Sequence, residues 1–286
     1  MSDPTPPVFL INLDRDTQKL AAMEAQLAER GVGFTRVPAV LGKGLSAAEL
    51  ARWRPDPHYW RERRNFHLGE VGNVLSHRKI LERIVGEKHA LAAVLEDDVG
   101  LSEDFRQVLA DLARNMHGCE AIKLEGLEMH GSPGYVRPLA SLGGRTLYFS
   151  FRPALGCAGY LVTHRGAQKL LAALDHVHEP FDHTLAAFAR HDLRLAELRP
   201  FPAWQREGLS EISASRANLA HTPPDLSYRL RKRWEVLSTP IRTVLFDLRQ
   251  FGWRALKERP VRMLAPQNRQ EHVARAKDEH ETMGNA

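Results

Sequence analysis

The sequence predicts an α/β protein with a mostly parallel sheet flanked by helices, followed by a basic helical tail. Three observations carry this prediction. The chain opens with a β-α-β pattern, residues 90–95 form a continuous apolar run bounded by charge, and helical spacing returns after residue 226. Strands that alternate with helices are typical of parallel sheets, whose buried strands are apolar on both faces.

Size and composition set the class of protein. The chain has 286 residues, of which 43% are hydrophobic and 26% charged, as in ordinary globular proteins. No apolar run approaches the ~18 residues of a membrane-spanning helix, and the N-terminus has no signal-peptide pattern. We therefore expect a cytoplasmic protein. The two cysteines, Cys119 and Cys157, favour a reducing compartment over a disulfide or a cysteine metal site.

The positive charge of the chain is concentrated at its C-terminal end. Residues 226–286 contain 13 Lys and Arg against 7 Asp and Glu, a net charge of +6, whereas the whole chain carries +5. The body is thus close to neutral, which argues against a nucleic-acid groove. We divide the chain into a domain at 1–222 and a basic helical extension at 223–286.

The β-α-β opening consists of a strand at 8–13, a helix ending near Gly31 and a strand at 34–40. Asn12 and Arg15 come at the carboxyl end of the first strand, where open α/β sheets bind ligands. Taken alone, an Asx turn beside a solvated arginine accounts for this pair more simply.

The next helix is predicted from Gly69 to about residue 85. Its glycines permit a close approach of its backbone to a neighbour or a ligand. Ser76 and His77 lie on it, one element before the apolar run. A lone histidine in this position is usually a hydrogen-bonded core residue, but the adjacent serine favours a site.

The apolar run leads into three carboxylates, Glu96, Asp97 and Asp98, with no cation among them. If the strand continues, side-chain alternation points Glu96 and Asp98 to the same face. Like charges at one strand end repel unless a cation separates them, and oxygen ligands suit Mg²⁺ or Mn²⁺. The alternative is that the three acids cap the following helix.

Residues 126–146 hold five glycines and two prolines, which predicts a long loop that serves as a mobile flap over the site. Beyond it we expect strands at 146–151, 158–162 and 193–198. Helices are expected at 166–174 and from residue 179.

The tail is predicted to form two amphipathic helices separated by a break at Pro240. Apolar residues line one side of each, and Arg and Lys crowd the other sides. Such helices lie on anionic membrane surfaces. A helical pair docked on the body with a solvated basic face explains the pattern equally well.

Several separate stretches resemble one family, glycosyltransferase family 25, which includes lipooligosaccharide galactosyltransferases. The matching stretches occur in the family's order between residues 8 and 213. They are Ile11-Asn12-Leu13-Asp14-Arg15, Ala39-Val40, Gly69-Glu70-Val71-Gly72, Leu75-Ser76-His77, Val94-Leu95-Glu96-Asp97-Asp98-Val99, Gly159-Tyr160-Leu161-Val162 with Gly166-Ala167, and Pro180-Phe181-Asp182. The chain departs from the family at Gln18-Lys19 where an arginine is expected, at Asn73 where a cysteine is common, and at Phe181.

The resemblance implies a GT-A-like fold, a nucleotide-sugar donor, a divalent metal and inversion at the anomeric carbon. Glu96 and Asp98 would then hold Mn²⁺ or Mg²⁺. The donor-binding residues would be Asn12, Arg15, Ser76, His77 and Asp97. An inverting displacement needs a base for the acceptor hydroxyl; Asp182 is the first candidate and Glu125 the second.

The leading hypothesis is a transferase that moves a hexose, expected to be galactose, from a UDP-sugar to a lipooligosaccharide or other glycan acceptor. One alternative is a Mg²⁺-dependent phosphohydrolase that uses the same carboxylates, although no phosphate-gripping glycine loop follows them. A second alternative is a non-catalytic protein of the same fold that binds glycans or membranes. The acceptor, linkage and hexose do not follow from the sequence.

Overall fold

A nine-stranded sheet forms the centre of the structure, a computed structural model that describes residues 5–127, 134–206, 220–252, 255 and 260–262. The described residues contain thirteen strands, nine of which belong to this sheet. They are β1 (Val8–Asn12), β2 (Thr35–Pro38), β3 (His58–Tyr59), β4 (Arg64–Asn65), β5 (Leu91–Glu96), β6 (Val99–Leu101), β7 (Ala121–Lys123), β8 (Tyr135–Leu142), β9 (Arg145–Ser150), β10 (Gly159–Thr163), β11 (Leu195–Arg199), β12 (Ala203–Gln205) and β13 (Val261–Arg262). The helices are α1 (Thr17–Glu29), α2 (Ala47–Trp53), α3 (Leu68–Gly86), α4 (Phe105–Arg114), α5 (His164–Ala173), α6 (Phe181–Ala186) and α7 (Leu226–Phe251).

The strand order in the sheet is β13-β8-β9-β11-β7-β10-β5-β1-β2. β1 pairs in parallel with β2 and β5, and β7 pairs in parallel with β11. β10 lies between β5 and β7 and runs antiparallel to both. Six of the nine strands share one direction, so the predicted α/β fold with a mostly parallel sheet is confirmed. The smaller pairs β3–β4 and β6–β12 lie outside this sheet.

Apolar layers cover both faces of the sheet, as the apolar strands predict. On β1, Phe9 joins the layer beneath α3 and α5, while Leu10 joins the layer beneath α1 and α4. The alternation of neighbouring side chains between faces explains why this strand is apolar throughout. Helices packed on both faces therefore hold the strands of the sheet in place.

The predicted flap at 126–146 is wrong over its described part. Residues 135–150 form the β8–β9 hairpin, whose turn is Gly143-Gly144 with φ of +49° and +80°. A two-residue turn with both φ values positive is typical of tight hairpins and requires glycine or a similar residue. The glycines that suggested a loop thus mark a turn between long strands. Residues 128–133 lie outside the described part of the chain.

The predicted helix break at Pro240 is also wrong, because α7 runs without interruption through it. Contacts on both sides of the proline hold the helix: Ser238, Thr243, Phe246 and Asp247 are buried. Phe246 stacks on Phe149, 5.9 Å between ring centroids, and so belongs to the core. The boundary at 222/223 stays a prediction, but the helix after it packs on the body.

Candidate active site

The ends of four central strands bring the polar residues to one edge of the sheet. Ile11 of β1 is opposite Glu96 of β5, and Leu95 is opposite Gly159 at the start of β10. Because β10 is antiparallel, its first residues lie beside the carboxyl ends of β5 and β7. This edge is where open α/β sheets bind ligands.

The acid triplet does not lie on one continuous strand. β5 ends at Glu96, residues 97 and 98 form a turn, and β6 begins at Val99. The prediction that strand alternation aligns Glu96 with Asp98 is therefore wrong. The alternative is wrong too, because α4 begins only at Phe105, with Asp104 at its N-cap. The triplet terminates a central strand.

Glu96 is held by three side chains that all contact its Oε1. Asn73 Nδ2 lies at 3.2 Å, His77 Nε2 at 3.1 Å and Cys157 Sγ at 3.2 Å. Burial favours the protonated form, but the contacts with His77, Cys157 and Asn73 together outweigh it and lower the pKa of Glu96. No hydrogen bond from the described residues reaches Oε2. Glu96 is thus a fixed carboxylate with one oxygen available.

Asp98 has an oxygen that nothing in the described chain satisfies. Its Oδ2 accepts a hydrogen bond from Gln205 Nε2 at 3.2 Å, while Oδ1 is buried without a partner. Burial and the charge of Glu96 raise the pKa of Asp98 to about 6. Buried carboxylates without a compensating charge are costly. A divalent cation beside Asp98 and Glu96 would supply that charge, so these residues fit the metal implied by the resemblance.

Asp97 faces the first strand and the first helix. Asn12 Nδ2 donates to its Oδ2 at 2.7 Å, and Lys19 Nζ lies 4.0 Å from Oδ1. Arg36 Nε donates to Asn12 Oδ1 at 2.9 Å, which fixes the orientation of the Asn12 amide. Arg15 is about half exposed and lies 3.6 Å from Asp16. The structure therefore groups Asn12 with Asp97 and leaves Arg15 at the rim.

The two candidate bases meet at the loop before β10. The backbone N–H of Gly156 lies 3.5 Å from Asp182 Oδ2, and Ala158 N–H donates to Glu125 Oε2 at 3.1 Å. Gly156 has a φ of +96°, and a Cβ there would lie 2.7 Å from Glu125 Oε2. Glycine is required at this position for both reasons.

The side chains of Glu125 and Asp182 differ in their exposure to solvent. Glu125 is 1% exposed, and burial, partly offset by Lys123, raises its pKa to about 7. Asp182 is half-buried at the start of α6. The Asp182 carboxylate is therefore more exposed to solvent than that of Glu125, which is buried.

Ser76 and His77 have different surroundings although they are adjacent. Ser76 Oγ accepts a hydrogen bond from Val40 N–H and donates one to Gly72 O, so its hydroxyl joins α3 to the chain after β2. His77 is fully buried between Tyr160 OH, 3.1 Å from Nδ1, and Glu96. His77 lies in the site, while the contacts of Ser76 are internal.

Four side chains of the site were not predicted from the sequence: Lys19, Asn73, Cys157 and Gln205. Two of them, Lys19 and Asn73, occupy positions where the chain departs from the resembled family. Cys157 and Gln205 come from strands or loops that follow the triplet by about 60 and 110 residues, so spacing gives no signal for them. The pairing of β10 with β5 brings Cys157 to this edge, and the pairing of β12 with β6 brings Gln205.

Comparisons with known proteins bear on the resemblance. Residues 5–185 match the family model described as glycosyltransferase family 25 (LPS biosynthesis protein). A glycosyltransferase 25 family member of Anopheles gambiae is 30% identical over 175 residues, which cover 57% of this chain and 28% of the relative. Procollagen galactosyltransferase 1-A of Xenopus laevis is 31% identical over 176 residues, covering 58% and 28%.

Another relative, named "Probable inactive glycosyltransferase 25 family member 3", from Rattus norvegicus, is 32% identical over 200 residues, covering 64% and 33%. The chain thus spans about a third or less of the length of these relatives. A crystal structure of a glycosyltransferase involved in glycosylation of the major capsid of PBCV-1 is 9% identical with a TM-score of 0.40, covering 75% of this chain and 98% of that one.

The family match covers well over half of the chain and includes β1, α3 and the acid triplet. The resemblance inferred from the motifs is confirmed: the chain belongs to glycosyltransferase family 25.

Proposed function

We propose that the protein is a metal-dependent, inverting glycosyltransferase that moves a hexose from a UDP-sugar to a glycolipid, such as a lipooligosaccharide, or to another glycan. Membership of family 25, whose model is described by LPS biosynthesis, supports transfer to a surface glycan. The name of the Xenopus laevis relative supports galactose as the hexose.

The observation that carries the proposal is the unsatisfied oxygen of Asp98 beside Glu96. We assign Mn²⁺ or Mg²⁺ to these two carboxylates. Such an ion supplies Lewis-acid stabilisation of the nucleoside diphosphate as it leaves. His77, Asn73 and Cys157 keep the Glu96 carboxylate in one orientation, as supporting side chains do around metal ligands.

Residues at the end of β1 are proposed to bind the donor. Asn12 and Asp97 form a hydrogen-bonded pair at the sheet edge, and Arg15 lies at the rim, 3.6 Å from Asp16. Lys19, on the first turn of α1, adds a positive charge next to Asp97. The adjacent helix N-terminus also favours a phosphate group.

Asp182 is proposed as the base. In an inverting displacement an acceptor hydroxyl attacks the anomeric carbon, the bond to the UDP oxygen breaks, and the base takes the hydroxyl proton. The half-buried carboxylate of Asp182 can receive an acceptor. Glu125 is the second candidate because its pKa of about 7 suits proton transfer near neutrality.

The test is transfer from UDP-galactose with and without Mn²⁺, in the native protein and in Asp98→Asn. Asp175→Asn, an exposed carboxylate remote in sequence from the triplet, is the matched control. We expect Mn²⁺-dependent turnover that Asp98→Asn reduces by at least about a hundredfold and the control leaves unchanged. Equal activity in both variants would refute the metal assignment.

A non-catalytic carbohydrate-binding role is the second candidate, because one relative is named inactive. A thermal-shift screen of nucleotide sugars with Mn²⁺ separates the two, since a ligand of the native state raises the unfolding temperature. Donor binding without turnover would favour the non-catalytic role. Release of phosphate from simple phosphoesters would instead favour the phosphohydrolase, which no contact among the described residues supports.

A further inference from the structure

α7 carries an exposed row of apolar side chains, here termed the outer stripe. Six of its members recur every three or four residues and the seventh is adjacent to the last of them: Leu226, Leu230, Trp234, Leu237, Ile241, Val244 and Leu245. Each is between 47% and 71% exposed. An exposed apolar row of this length on a helix marks an interaction surface.

The opposite side of α7 is fixed to the body, so the outer stripe must face away from it. Phe246 packs between Phe149 and Phe188, with centroid distances of 5.9 and 5.2 Å. Asp247 forms a buried ion pair with Arg137, at 2.8 Å. These contacts prevent the helix from rotating to bury the stripe.

The charged residues of α7 are also divided between the side that faces the body and the side that faces away from it. Its two carboxylates face the body: Asp247 contacts Arg137, and Glu235 contacts Arg61 and Arg190. Its basic residues are exposed; five of them are Arg229, Arg231, Lys232, Arg233 and Arg242, while the sixth, Arg249, pairs with Asp192 of the body. The outward side of the helix is therefore apolar along its centre and positive on its flanks.

We propose that the outer stripe is the membrane-binding surface of the protein and rests in the headgroup region of an anionic bilayer. Aliphatic side chains and a tryptophan would enter the boundary of the acyl chains, while flanking arginines pair with lipid phosphates. A second copy of the chain fits less well, because its basic flanks would face these basic flanks. No helix among the described residues has the length and apolar character to cross a bilayer.

This inference goes beyond the proposed transfer reaction and can be tested without a donor. The experiment is cosedimentation of the full chain with phosphatidylcholine vesicles, alone or containing phosphatidylglycerol. We expect binding only to the anionic vesicles, and a loss of at least about tenfold in affinity for Leu237→Glu/Ile241→Glu. Both positions are exposed, so the fold is retained.

Two further variants make the result specific. Ala25→Glu/Ala28→Glu adds the same charge to the exposed side of α1 and should leave binding unchanged. Arg233→Gln/Arg242→Gln should weaken binding to anionic vesicles and reduce its dependence on salt. Circular dichroism and transfer to a soluble acceptor should be the same in all variants.

Two outcomes would overturn the proposal. The first is vesicle binding that Leu237→Glu/Ile241→Glu does not change, or that is equal on neutral and anionic lipid. The second is no vesicle binding together with a dimer in sedimentation velocity that this double variant dissociates, which would assign the outer stripe to a second copy of the chain.

Discussion

The imidazole ring of His77 lies flat against the phenyl ring of Phe181, with centroids 4.1 Å apart and planes within 9°. His77 contacts Glu96, and Phe181 precedes Asp182 in the first turn of α6. The stack therefore joins the carboxylate proposed for the metal to the carboxylate proposed as the base. It also gives a physical role to Phe181, where the chain departs from the resembled family.

We expect His77→Phe to weaken binding of Mn²⁺ together with UDP by about tenfold, because residues that orient a ligand contribute this much. Phenylalanine keeps the stack on Phe181 but removes the contact with Glu96 Oε1. Isothermal titration calorimetry measures the change. Tyr160→Phe, which removes the partner of the other imidazole nitrogen, is the control and should have a smaller effect. Unchanged affinity in His77→Phe would contradict the positioning role.

The buried Glu125 should make the metal-free protein less stable as the pH rises. The folded state keeps the proton until about pH 7, whereas the unfolded chain loses it near 4.5. Between these values the folded state binds more protons, so the free energy of unfolding falls with rising pH. The contribution is on the order of 1–3 kcal/mol.

Urea unfolding at about pH 5 and about pH 7.5 measures this slope. Glu125→Gln should reduce it, because glutamine does not titrate. Glu82→Gln changes an exposed carboxylate on α3 and should leave the slope as it is. If the slope of Glu125→Gln matched that of the native protein, another group would be responsible.

Gly72→Ala should destabilise the protein by about 2–4 kcal/mol, since overpacking against rigid backbone has this cost. A Cβ at residue 72 would lie 2.4 Å from Val40 O and 2.8 Å from Gly42 N. Gly86→Ala is a control in the same helix, because a Cβ there meets no atom within 4 Å. Thermal unfolding should show a lower midpoint for the first variant and an equal or higher one for the second. Equal midpoints would contradict this prediction and show that α3 can move away from Val40 and Gly42 to make room for the added Cβ.

Removing Asp247 should destabilise the fold by about 3–5 kcal/mol, because the buried Arg137 loses its carboxylate. Asp247→Leu alone is the test, and Arg137→Met/Asp247→Leu should recover most of the loss by replacing both charges. Glu87→Gln removes the partner of the exposed Arg83 and should change the stability little, because exposed ion pairs contribute little. Urea unfolding of the three variants and of the native protein measures the differences in their free energies of unfolding. A double variant as unstable as Asp247→Leu would show that the arginine is needed for another reason.

Sequence reasoning was sufficient for the central elements and for the family. Continuous apolar runs predict β1 and β5, and apolar residues at helical spacing predict α3. Gly72 and Ser76 belong to a sequence motif, and in the structure both residues contact Val40. Local patterns succeed where residues close in sequence share an element or a contact.

Patterns failed where the deciding contact is distant in sequence. Helix propensity predicts a break at Pro240, but packing of Phe246 on Phe149 keeps α7 continuous. Strand alternation predicts that Glu96 and Asp98 align, but β5 ends at Glu96, the last of its residues that pairs with β1. Cys157 reaches the acid triplet because β10 lies beside β5, and Gln205 reaches it because β12 pairs with β6; no short sequence pattern is diagnostic of either pairing.

The interior position of β11 has a consequence for defining the smallest autonomous folding unit. β11 lies between β7 and β9, yet its residues, 195–199, follow the last residue matched by the family model. A fragment that stops at residue 185 would carry two bare strand edges in the middle of its sheet, and such edges promote self-association. The boundary of homology and the boundary of cooperative folding are different places in this molecule.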